Sequence, residues 1–452
     1  MKSHLVIGLL FWLTQLSAQP VLQDYIKTGL QNNLALQQKQ NNYEMSLQQL
    51  KQARGLFYPS VSVNARYTVS EGGRVIEFPV GDLLNPVYMT LNQLTSSNQF
   101  PVLENQEIAF LRPTEHETKL RLVQPLFNTD IYYNARIKRE QTVTEQINIE
   151  QYKRELVAEI KKAYYNLCMS QNVLTMLNST RSLLLENIRI NKSLFENNKV
   201  TRDVLLRSET ELHKFDQQLN NAHKNAELAG AYFNFLLNRP LKDSITVEDP
   251  GEWVAPSGMV SDFIDMAGKN REEIKNLEQY RKISDMAVNM NRAARLPDIL
   301  VVADYGFQGE KYRFNKNQDY LQASAVLTWD LFAGLQNKSK IKQSLIASDQ
   351  VDKQLEEVRS RISLQVISAF EDMRTSETGF EAAKEQLATA SEGFRIVNKK
   401  YSEGQASLIE YMDARNTLTQ AEENLIISKY TCLSKKADFD NIIAVDIPEN
   451  NN

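Results

Sequence analysis

One stretch of sequence occurs twice: Tyr58-Pro59-Ser60-Val61-Ser62-Val63 is matched by Leu296-Pro297-Asp298-Ile299-Leu300-Val301. In both copies a proline introduces a segment whose apolar residues predict a strand. The prolines lie 238 residues apart (297 − 59). Further along, Leu126-Phe127 and Leu331-Phe332 each precede a very long helical pattern and lie 205 residues apart (331 − 126). The chain is therefore an internal duplication, and its first copy carries about 33 more residues between its strands.

The N-terminus has the composition of a targeting segment. Lys2 and His4 precede an apolar run from Leu5 to Leu13, and Ser17-Ala18 offers the small residues of a cleavage site. The run is too short to cross a bilayer as a helix. We therefore expect residues 1–18 to be a secretory signal peptide. At the other end, residues 448–452 are expected to form a polar tail.

Composition narrows the classes of protein. Only 16 of the 452 residues are glycine and 12 are proline, so long helices are expected. The net charge of −4 gives no indication of a nucleic-acid partner. After the signal no run of 18 apolar residues occurs, so a membrane could be crossed only as a β-barrel. Cys168 and Cys432 lie in amphipathic patterns, which favours buried free thiols but leaves a disulfide open.

Two strand pairs are predicted, over residues 58–127 and 297–332. Along the first strand Val61, Val63, Ala65 and Tyr67 alternate with polar residues. A loop rich in Asn, Ser, Pro and Gly follows, to about Pro113. Strands of about 10 residues with this alternation suit a lipid-facing exterior and a wet interior. A soluble sheet with one face on a core would give the same alternation and stays open.

Two very long helices follow the strand pairs. Apolar or small residues recur at steps of 4 and 3 from Leu156 to Phe195 and again from Ile341 to Tyr401. A sustained period of 3.5 predicts coiled-coil packing. Each helix of some 60 residues would be on the order of 90 Å long.

Each long helix is expected to turn sharply into a returning one. Asn198 and Gly404 suit the left-handed conformation that ends a helix, and Thr201 and Ser407 suit the N-cap of the next. The returning helices are predicted at about 202–238 and 408–443. Residues 241–260 would link the first repeat, 19–240, to the second, 261–447.

The duplicated order resembles that of the TolC-like outer-membrane efflux proteins. The local elements that carry the resemblance are Tyr401-x-x-Gly404-x-x-Ser407-x-x-Glu410-x-x-Asp413 and Leu236-Leu237-Asn238-Arg239-Pro240. The resemblance implies a membrane α+β fold in which four strands per chain contribute to a trimeric 12-stranded transmembrane barrel. It also implies long coiled-coil helices that form a periplasmic α-barrel, and a location in the outer membrane that extends into the periplasm.

The resemblance further implies a gate at the second helical turn. Glu410 and Asp413 match carboxylates that form rings in family members, and their spacing puts both on one helix face. Tyr401 and Asp203 match a tyrosine–aspartate tether between the two turns. The alternative for the carboxylates is an ordinary solvated helix surface.

Two departures from the family pattern bear on this gate. Ala406 stands where the family has a basic residue. The first turn is also expected to be one residue shorter, because Asp203 lies 8 residues past Phe195 whereas Glu410 lies 9 past Tyr401.

The function implied is a passive exit duct of a tripartite efflux or type I secretion system. Its expected partners are two further copies of the chain, outer-membrane lipid, a periplasmic adaptor and an inner-membrane pump. The residues expected to dock the adaptor lie at the helical turns: Asn198, Lys199, Val200, Thr201, Gly404, Gln405, Ala406 and Ser407. The alternative is a secreted coiled-coil scaffold, for which no detergent requirement is expected.

Catalytic, metal and cofactor sites are not expected. Beyond the signal the histidines are His116, His213 and His223, and none has the spacing of a zinc site. A glycine-rich phosphate loop is absent from the sequence, so energy would come from the pump. Met286 and Met290 lie four apart on a helix, where core packing is favoured over a soft-metal site. An outer-membrane enzyme is therefore the least favoured class.

Overall fold

The computed structural model describes residues 20–251 and 256–445. The predicted signal peptide (1–18) and polar tail (448–452) lie outside these residues. The helices are α1 (Pro20–Asn32), α2 (Leu34–Gly55), α3 (Val80–Thr95), α4 (Thr129–Glu196), α5 (Arg202–Leu236), α6 (Val260–Asn270), α7 (Glu272–Ala293), α8 (Gln336–Ser402) and α9 (Leu408–Ile442). The strands are β1 (Ser60–Val69), β2 (Val75–Phe78), β3 (Gln106–Ala109), β4 (Thr114–Phe127), β5 (Asp298–Gly309) and β6 (Asp319–Thr328).

The chain divides into two compact units, and each contains parts of both repeats. The sheet unit comprises Gln48–Lys138 and Met286–Leu345. The helical unit comprises the described residues up to Leu47, then Arg139–Asp285, then those from Ile346 onward. The boundary between the units therefore does not separate the two repeats. Each repeat supplies one strand pair to the sheet unit and one helical hairpin to the helical unit.

The sheet unit contains one four-stranded antiparallel sheet in the order β1-β4-β5-β6. The two strand pairs expected from the sequence supply these strands, and β4 joins β5 across the repeats. β1 and β6 are the edges, and within the described residues neither has a strand on its outer side. The sheet is therefore open in a single chain.

The stretch between β1 and β4 was expected to be an irregular loop, and that expectation is wrong. It contains the two-stranded ribbon β2–β3 and the helix α3. Asn85 exchanges hydrogen bonds with the backbone of Leu103, and Asn92 does the same with Phe100. Asparagine reads as a loop former in the sequence, whereas here its side chain holds the returning segment against α3.

From about Val21 to Leu56 the sequence pattern predicts a single helix, but the structure has two, α1 and α2. The break falls at Asn33, whose Oδ1 accepts from the Leu36 amide at 3.0 Å as an N-cap does. The Asn33 Nδ2 donates to the Leu236 carbonyl at 2.9 Å. A side-chain contact with a distant helix therefore decides this boundary.

The long helices pack in the helical unit as their period predicts. α4 has 68 residues and α8 has 67. The positions that recur at steps of 4 and 3 along these helices are here called the seam. Most of the buried apolar residues of the two helices lie on it: Leu156, Ile160, Ala163, Leu167, Leu177, Leu184, Leu355, Ile362, Val366, Ala369, Met373, Ala383 and Ala390. The coiled-coil period is confirmed. No helix in the described ranges is both long and apolar enough to span a membrane.

The two cysteines are free and buried, as favoured from the sequence. Burial raises the pKa of Cys168 to about 12 and also raises the pKa of Cys432. Both thiols are therefore in the protonated, unreactive form at neutral pH.

Two buried arginines bind the end of the second repeat, Arg154 from the first repeat and Arg271 from the second. Arg154 of α4 donates to Glu272 at 3.0 Å and to the backbone carbonyl of Asn441. Arg271 donates to the carbonyl of Ile442 at 3.1 Å. Both guanidinium groups thus bind backbone carbonyls at the C-terminus of α9, where a positive charge is favourable.

Candidate functional site

The two helical turns have the same backbone geometry. At the end of α4 the Lys199 amide donates to the Leu194 carbonyl at 2.8 Å, and at the end of α8 the Gln405 amide donates to the Lys400 carbonyl at 2.8 Å. These bonds enclose a left-handed residue, Asn198 with φ 57° and Gly404 with φ 75°. Both turns are therefore Schellman motifs, and the predicted left-handed positions are confirmed.

The turns are also equal in length, which corrects the expectation that the first is one residue shorter. α5 begins at Arg202, one residue after Thr201, just as α9 begins one residue after Ser407. Asp203 is thus the second residue of its helix, whereas Glu410 is the third of its own. Only a third residue can complete a capping box, so the two carboxylates are not equivalent.

The N-caps differ accordingly. The Ser407 hydroxyl accepts from the Glu410 amide at 3.3 Å, and the Glu410 carboxylate accepts from the Ser407 amide at 2.7 Å. Thr201 occupies the matching position without capping its helix, because its hydroxyl donates to the Asp203 carboxylate.

The structure does not bring Tyr401 and Asp203 together. The Tyr401 hydroxyl donates instead to Oδ1 of Asn191 at 2.7 Å. Asp203 is exposed, and its second oxygen lies 3.8 Å from Arg207. The expected tether partner is corrected because Asn191 lies on the buried face of α4 whereas Asp203 lies on an outer face of α5.

The bond between Tyr401 and Asn191 belongs to a cluster of uncharged groups. The Asn191 amide donates to Oδ1 of Asn187 at 2.9 Å and to the Ser208 hydroxyl at 2.8 Å. The Tyr401 ring stacks on Tyr411 with centroids 4.7 Å apart. These five residues, here called the neutral cluster, come from α4, α5, α8 and α9. Sequence reasoning placed Asn191 on the seam but missed its role, because a lone asparagine there reads as a tolerated polar residue.

The sheet offers a second functional surface, since its two faces differ sharply. One face carries apolar side chains that are exposed in the single chain: Val63 is 72% exposed, Leu120 47%, Tyr305 49% and Leu321 77%. An apolar face of this extent in a folded chain marks a contact with lipid or another protein.

The opposite face carries a network of ion pairs. The Arg121 guanidinium makes two hydrogen bonds to the Asp304 carboxylate, at 2.9 and 2.7 Å. Lys119 donates to Glu117 at 2.8 Å, and the Tyr320 hydroxyl donates to the same carboxylate at 2.7 Å. The sheet is therefore apolar on one side and charged on the other, as expected of a strand set between lipid and water.

Comparisons with known proteins agree with this arrangement. The family model described as outer membrane efflux protein matches residues 263–443. The chain is 20% identical to the outer membrane protein TolC of Salmonella enteritidis over 439 residues, which is 92% of this chain and 80% of that protein. The chain is therefore similar in sequence to the outer-membrane efflux proteins.

Solved structures of outer-membrane channels share the fold of this chain. The Campylobacter jejuni CmeC outer membrane channel superposes with a TM-score of 0.75 at 16% identity, covering 93% of this chain and 85% of CmeC. The open state of the Neisseria gonorrhoeae MtrE outer membrane channel gives 0.73 at 17% identity, covering 94% and 89%. The chain therefore has the fold of these channels, as the resemblance in its sequence implied.

The two carboxylates predicted to form the gate are exposed in this chain. Glu410 and Asp413 lie one turn apart on α9. The Ser407 amide and hydroxyl, which donate to Glu410, hold its pKa below the usual 4.5. Both side chains are exposed to solvent in the first turns of α9.

A buried arginine beside the neutral cluster was missed by the sequence analysis. Arg415 is only 2% exposed, and its nearest acid is Glu211, 3.4 Å away on α5. Nε and Nη1 of Arg415 have no hydrogen-bond partner among the described residues. Burial lowers the pKa of Arg415, and Glu211 acts in the opposite direction. An arginine four residues past a tyrosine on a helix gives no sign in the sequence of such burial.

The residues expected to dock an adaptor lie mostly at the surface of the turns. Asn198, Lys199, Gly404 and Gln405 are exposed, and so are the N-caps Thr201 and Ser407. Val200 and Ala406 are half-buried. Within the described residues no cluster of histidine, cysteine or acidic side chains has the arrangement of a metal site.

Proposed function

We propose that this efflux protein acts as a homotrimeric exit duct that conducts substrates passively through the outer membrane. The observation that carries the proposal is the open sheet, with two unpaired edges, one exposed apolar face and one charged face.

The edge strands favour closure by copies of the same chain. β1 and β6 each have ten residues and run in opposite directions, so β6 of one copy can pair antiparallel with β1 of the next. Lipid does not tolerate an open sheet edge, because its unpaired amides and carbonyls find no water. Three copies would place twelve strands in one closed barrel with rotational symmetry.

The two faces then take different surroundings. The apolar face would contact lipid, and the charged face with Arg121 and Asp304 would line a water-filled passage. A charge pair is stable there because water and the bidentate geometry both compensate its desolvation.

The helical unit would form the periplasmic tunnel that the resemblance implies. Most residues of the turns at 195–203 and 401–410 are exposed, which suits docking by a periplasmic adaptor that connects to an inner-membrane pump. The chain itself has no phosphate-binding loop in its sequence, so the pump would supply the energy. Tripartite efflux and type I secretion both fit this arrangement, and no catalytic role is proposed.

The gate would lie at the same turns. Three copies of Glu410 and Asp413 would form two acidic rings, a constriction that attracts cations. Tyr401, held by Asn191, would keep α8 against α4 in the closed state. Asp203, exposed on α5, remains available to a neighbouring copy.

The test is extraction from outer membranes followed by mass determination in detergent and conductance in a planar bilayer. A detergent-dependent particle near three times the chain mass that conducts ions supports the duct. Replacing Glu410 and Asp413 together by Gln and Asn should reduce cation selectivity without changing the mass. A water-soluble monomer or dimer would contradict the proposal and favour the secreted scaffold.

A further inference from the structure

The connection between β5 and β6, residues Glu310–Gln318, is here called the outer turn. It lies at the end of the sheet opposite to the ends that lead into α4 and α8. The turn does not project freely. Thr114 donates to the Glu310 carbonyl at 2.8 Å, His116 Nε2 donates to the Lys311 carbonyl at 2.8 Å, and the Thr118 and Tyr312 hydroxyls lie 2.8 Å apart.

These three contacts fix which face the outer turn covers. Thr114, His116 and Thr118 alternate along β4, so their side chains share one face. It is the apolar face, since Thr118 is followed at the same spacing by Leu120 and Leu122. The outer turn is thus folded onto the end of the surface assigned above to lipid.

Aromatic rings surround the outer turn where it packs on the apolar face. Tyr312 stacks on the fully buried His116 with centroids 4.3 Å apart, and Phe314 meets Phe307 edge-on at 5.0 Å. Tyr67 of β1 lies 6.4 Å from Tyr312. Half of the Tyr312 side chain and 60% of Phe314 remain exposed. Aromatic rings at the end of an apolar sheet face are typical of the depth at which a membrane meets water.

The outer turn also carries three unpaired cations. Lys311, Arg313 and Lys316 are exposed, and none forms an ion pair with any described residue. The single acid of the turn is Glu310, at its start. Three positive charges next to exposed rings, on the lipid side of the sheet, face the level occupied by the phosphates of lipid headgroups.

We propose that the outer turn is a lipid-phosphate site: Lys311, Arg313 and Lys316 bind phosphate groups of outer-leaflet lipid headgroups, while Tyr312 and Phe314 set the depth of the sheet in the bilayer. The inference rests on the proposed membrane function. Arginine can bind a phosphate with two parallel hydrogen bonds, and lysine contributes a mobile point charge. The contacts with β4 hold the backbone of the outer turn in place before lipid binds. Less conformational entropy is therefore lost when lipid binds.

A neighbouring copy is the competing occupant, because the β2–β3 ribbon carries the exposed pair Glu77 and Glu107. Lipid is favoured because the turn lies on the apolar face, whereas neighbouring copies would meet at the edges β1 and β6. Removal of the cations should weaken lipid binding if lipid occupies the turn, and should weaken the trimer if a neighbouring copy does.

The experiment is native mass spectrometry of the intact complex in a nonionic detergent, titrated with phosphatidylglycerol, phosphatidylcholine or inorganic phosphate alone. The test variant is K311Q/R313Q/K316Q. The control is K192Q/K214Q/K224Q, which removes three exposed lysines of α4 and α5 that form no ion pair with any described residue. Each cation near an anionic headgroup contributes about 1 kcal/mol, close to a fivefold change in affinity.

We expect phosphatidylglycerol to bind the test variant on the order of a hundredfold more weakly than it binds wild type. The control should bind it as wild type does. The variant K311R/K316R, which keeps all three positive charges, should retain most of the wild-type affinity. Equal phosphatidylglycerol binding by test variant and wild type would overturn the proposal. Loss of the trimer mass without loss of lipid binding would assign the turn to a neighbouring copy, and phosphate binding without lipid binding would exclude the headgroup as the source. Conductance, recorded separately, reports on the duct itself, so the two proposals fail independently.

Discussion

The hydroxyl of Tyr401 donates to Oδ1 of Asn191 across 2.7 Å and so joins α8 to α4 within two helical turns of both Schellman motifs. Asn191 is fully buried, and its amide nitrogen donates to Asn187 and Ser208. Every hydrogen-bonding group of this asparagine is therefore in use. Because no ionised group takes part, this link should respond little to salt.

Tyr401→Phe should weaken the closed state. The substitution removes one neutral hydrogen bond, worth about 1 kcal/mol net, and leaves the ring stacked on Tyr411. That corresponds to roughly a fivefold shift toward the open state. The measurement is single-channel conductance in a planar bilayer, where the variant should open more often than wild type at equal voltage.

A matched control exists on α9. The Tyr430 hydroxyl accepts from Asn172 at 2.6 Å, within the same helical unit but away from the turns. Tyr430→Phe should lower thermal stability by a comparable amount and leave the opening frequency at the wild-type value. Equal opening by both variants, or by neither, would show that the bond at Tyr401 does not hold the closed state.

Substitution of Glu211 and substitution of Arg415 should change the unfolding temperature by different amounts. Glu211→Gln leaves the buried guanidinium without its nearest acid, which is more costly than removing the charge itself. Arg415→Met keeps much of the side-chain volume and eliminates the two unpartnered nitrogens. We expect Glu211→Gln to lower the unfolding temperature of the helical unit, and Arg415→Met to change it little or raise it. The reverse order in differential scanning calorimetry would mean that Arg415 has a stabilising partner outside the single chain.

The comparison of Asn191 with Asp203 shows what the sequence could predict. The 3.5-residue period depends on burial along one helix, so it located the seam that contains Asn191. The partner of Tyr401 depends on which side chains two distant helices bring together, and spacing along one helix carries no such information. The family resemblance supplied Asp203, but equal turn lengths place that aspartate on an outer face.

The elements missed were those fixed by side-chain contacts over a distance. Asn33 ends α1 because its amide reaches the carbonyl of Leu236, and Asn85 orders α3 through Leu103. In each case a polar residue that reads as a loop former satisfies backbone groups elsewhere in the fold. The strands of the main sheet were predictable because their alternation repeats in both copies.

The capping box at the second turn should weaken in acid. Ser407 holds the pKa of Glu410 below 4.5 in the folded chain, so the carboxylate binds fewer protons there than when unfolded. Its contribution is therefore present above about pH 4.5 and is lost as the pH falls through the lowered folded pKa. Hydrogen exchange of the amides at 407–411 should be faster in Glu410→Gln than in wild type at neutral pH, and the difference should vanish in acid.

Asp413→Asn is the control for this measurement, because it removes a neighbouring carboxylate without touching the bonds to Ser407. Protection at 407–411 should then follow wild type at every pH. A difference between Glu410→Gln and wild type that persists well below pH 4.5 would show that the carboxylate charge is not what stabilises the turn.

Two glycines should respond in opposite directions to alanine. At Gly306 of β5 an added Cβ would lie 2.7 Å from Cα and 2.6 Å from Cβ of Lys119 on β4, so the two strands would have to separate. Overpacking of this kind costs about 1–3 kcal/mol.

At Gly379, exposed within α8, an added Cβ meets nothing within 4 Å. There alanine should stabilise the helix by up to ~1 kcal/mol. Thermal unfolding followed by circular dichroism, with the yield of correctly extracted complex, should show Gly306→Ala below wild type and Gly379→Ala at or above it. Wild-type yield and stability for Gly306→Ala would mean that β4 and β5 pack less closely than these distances require.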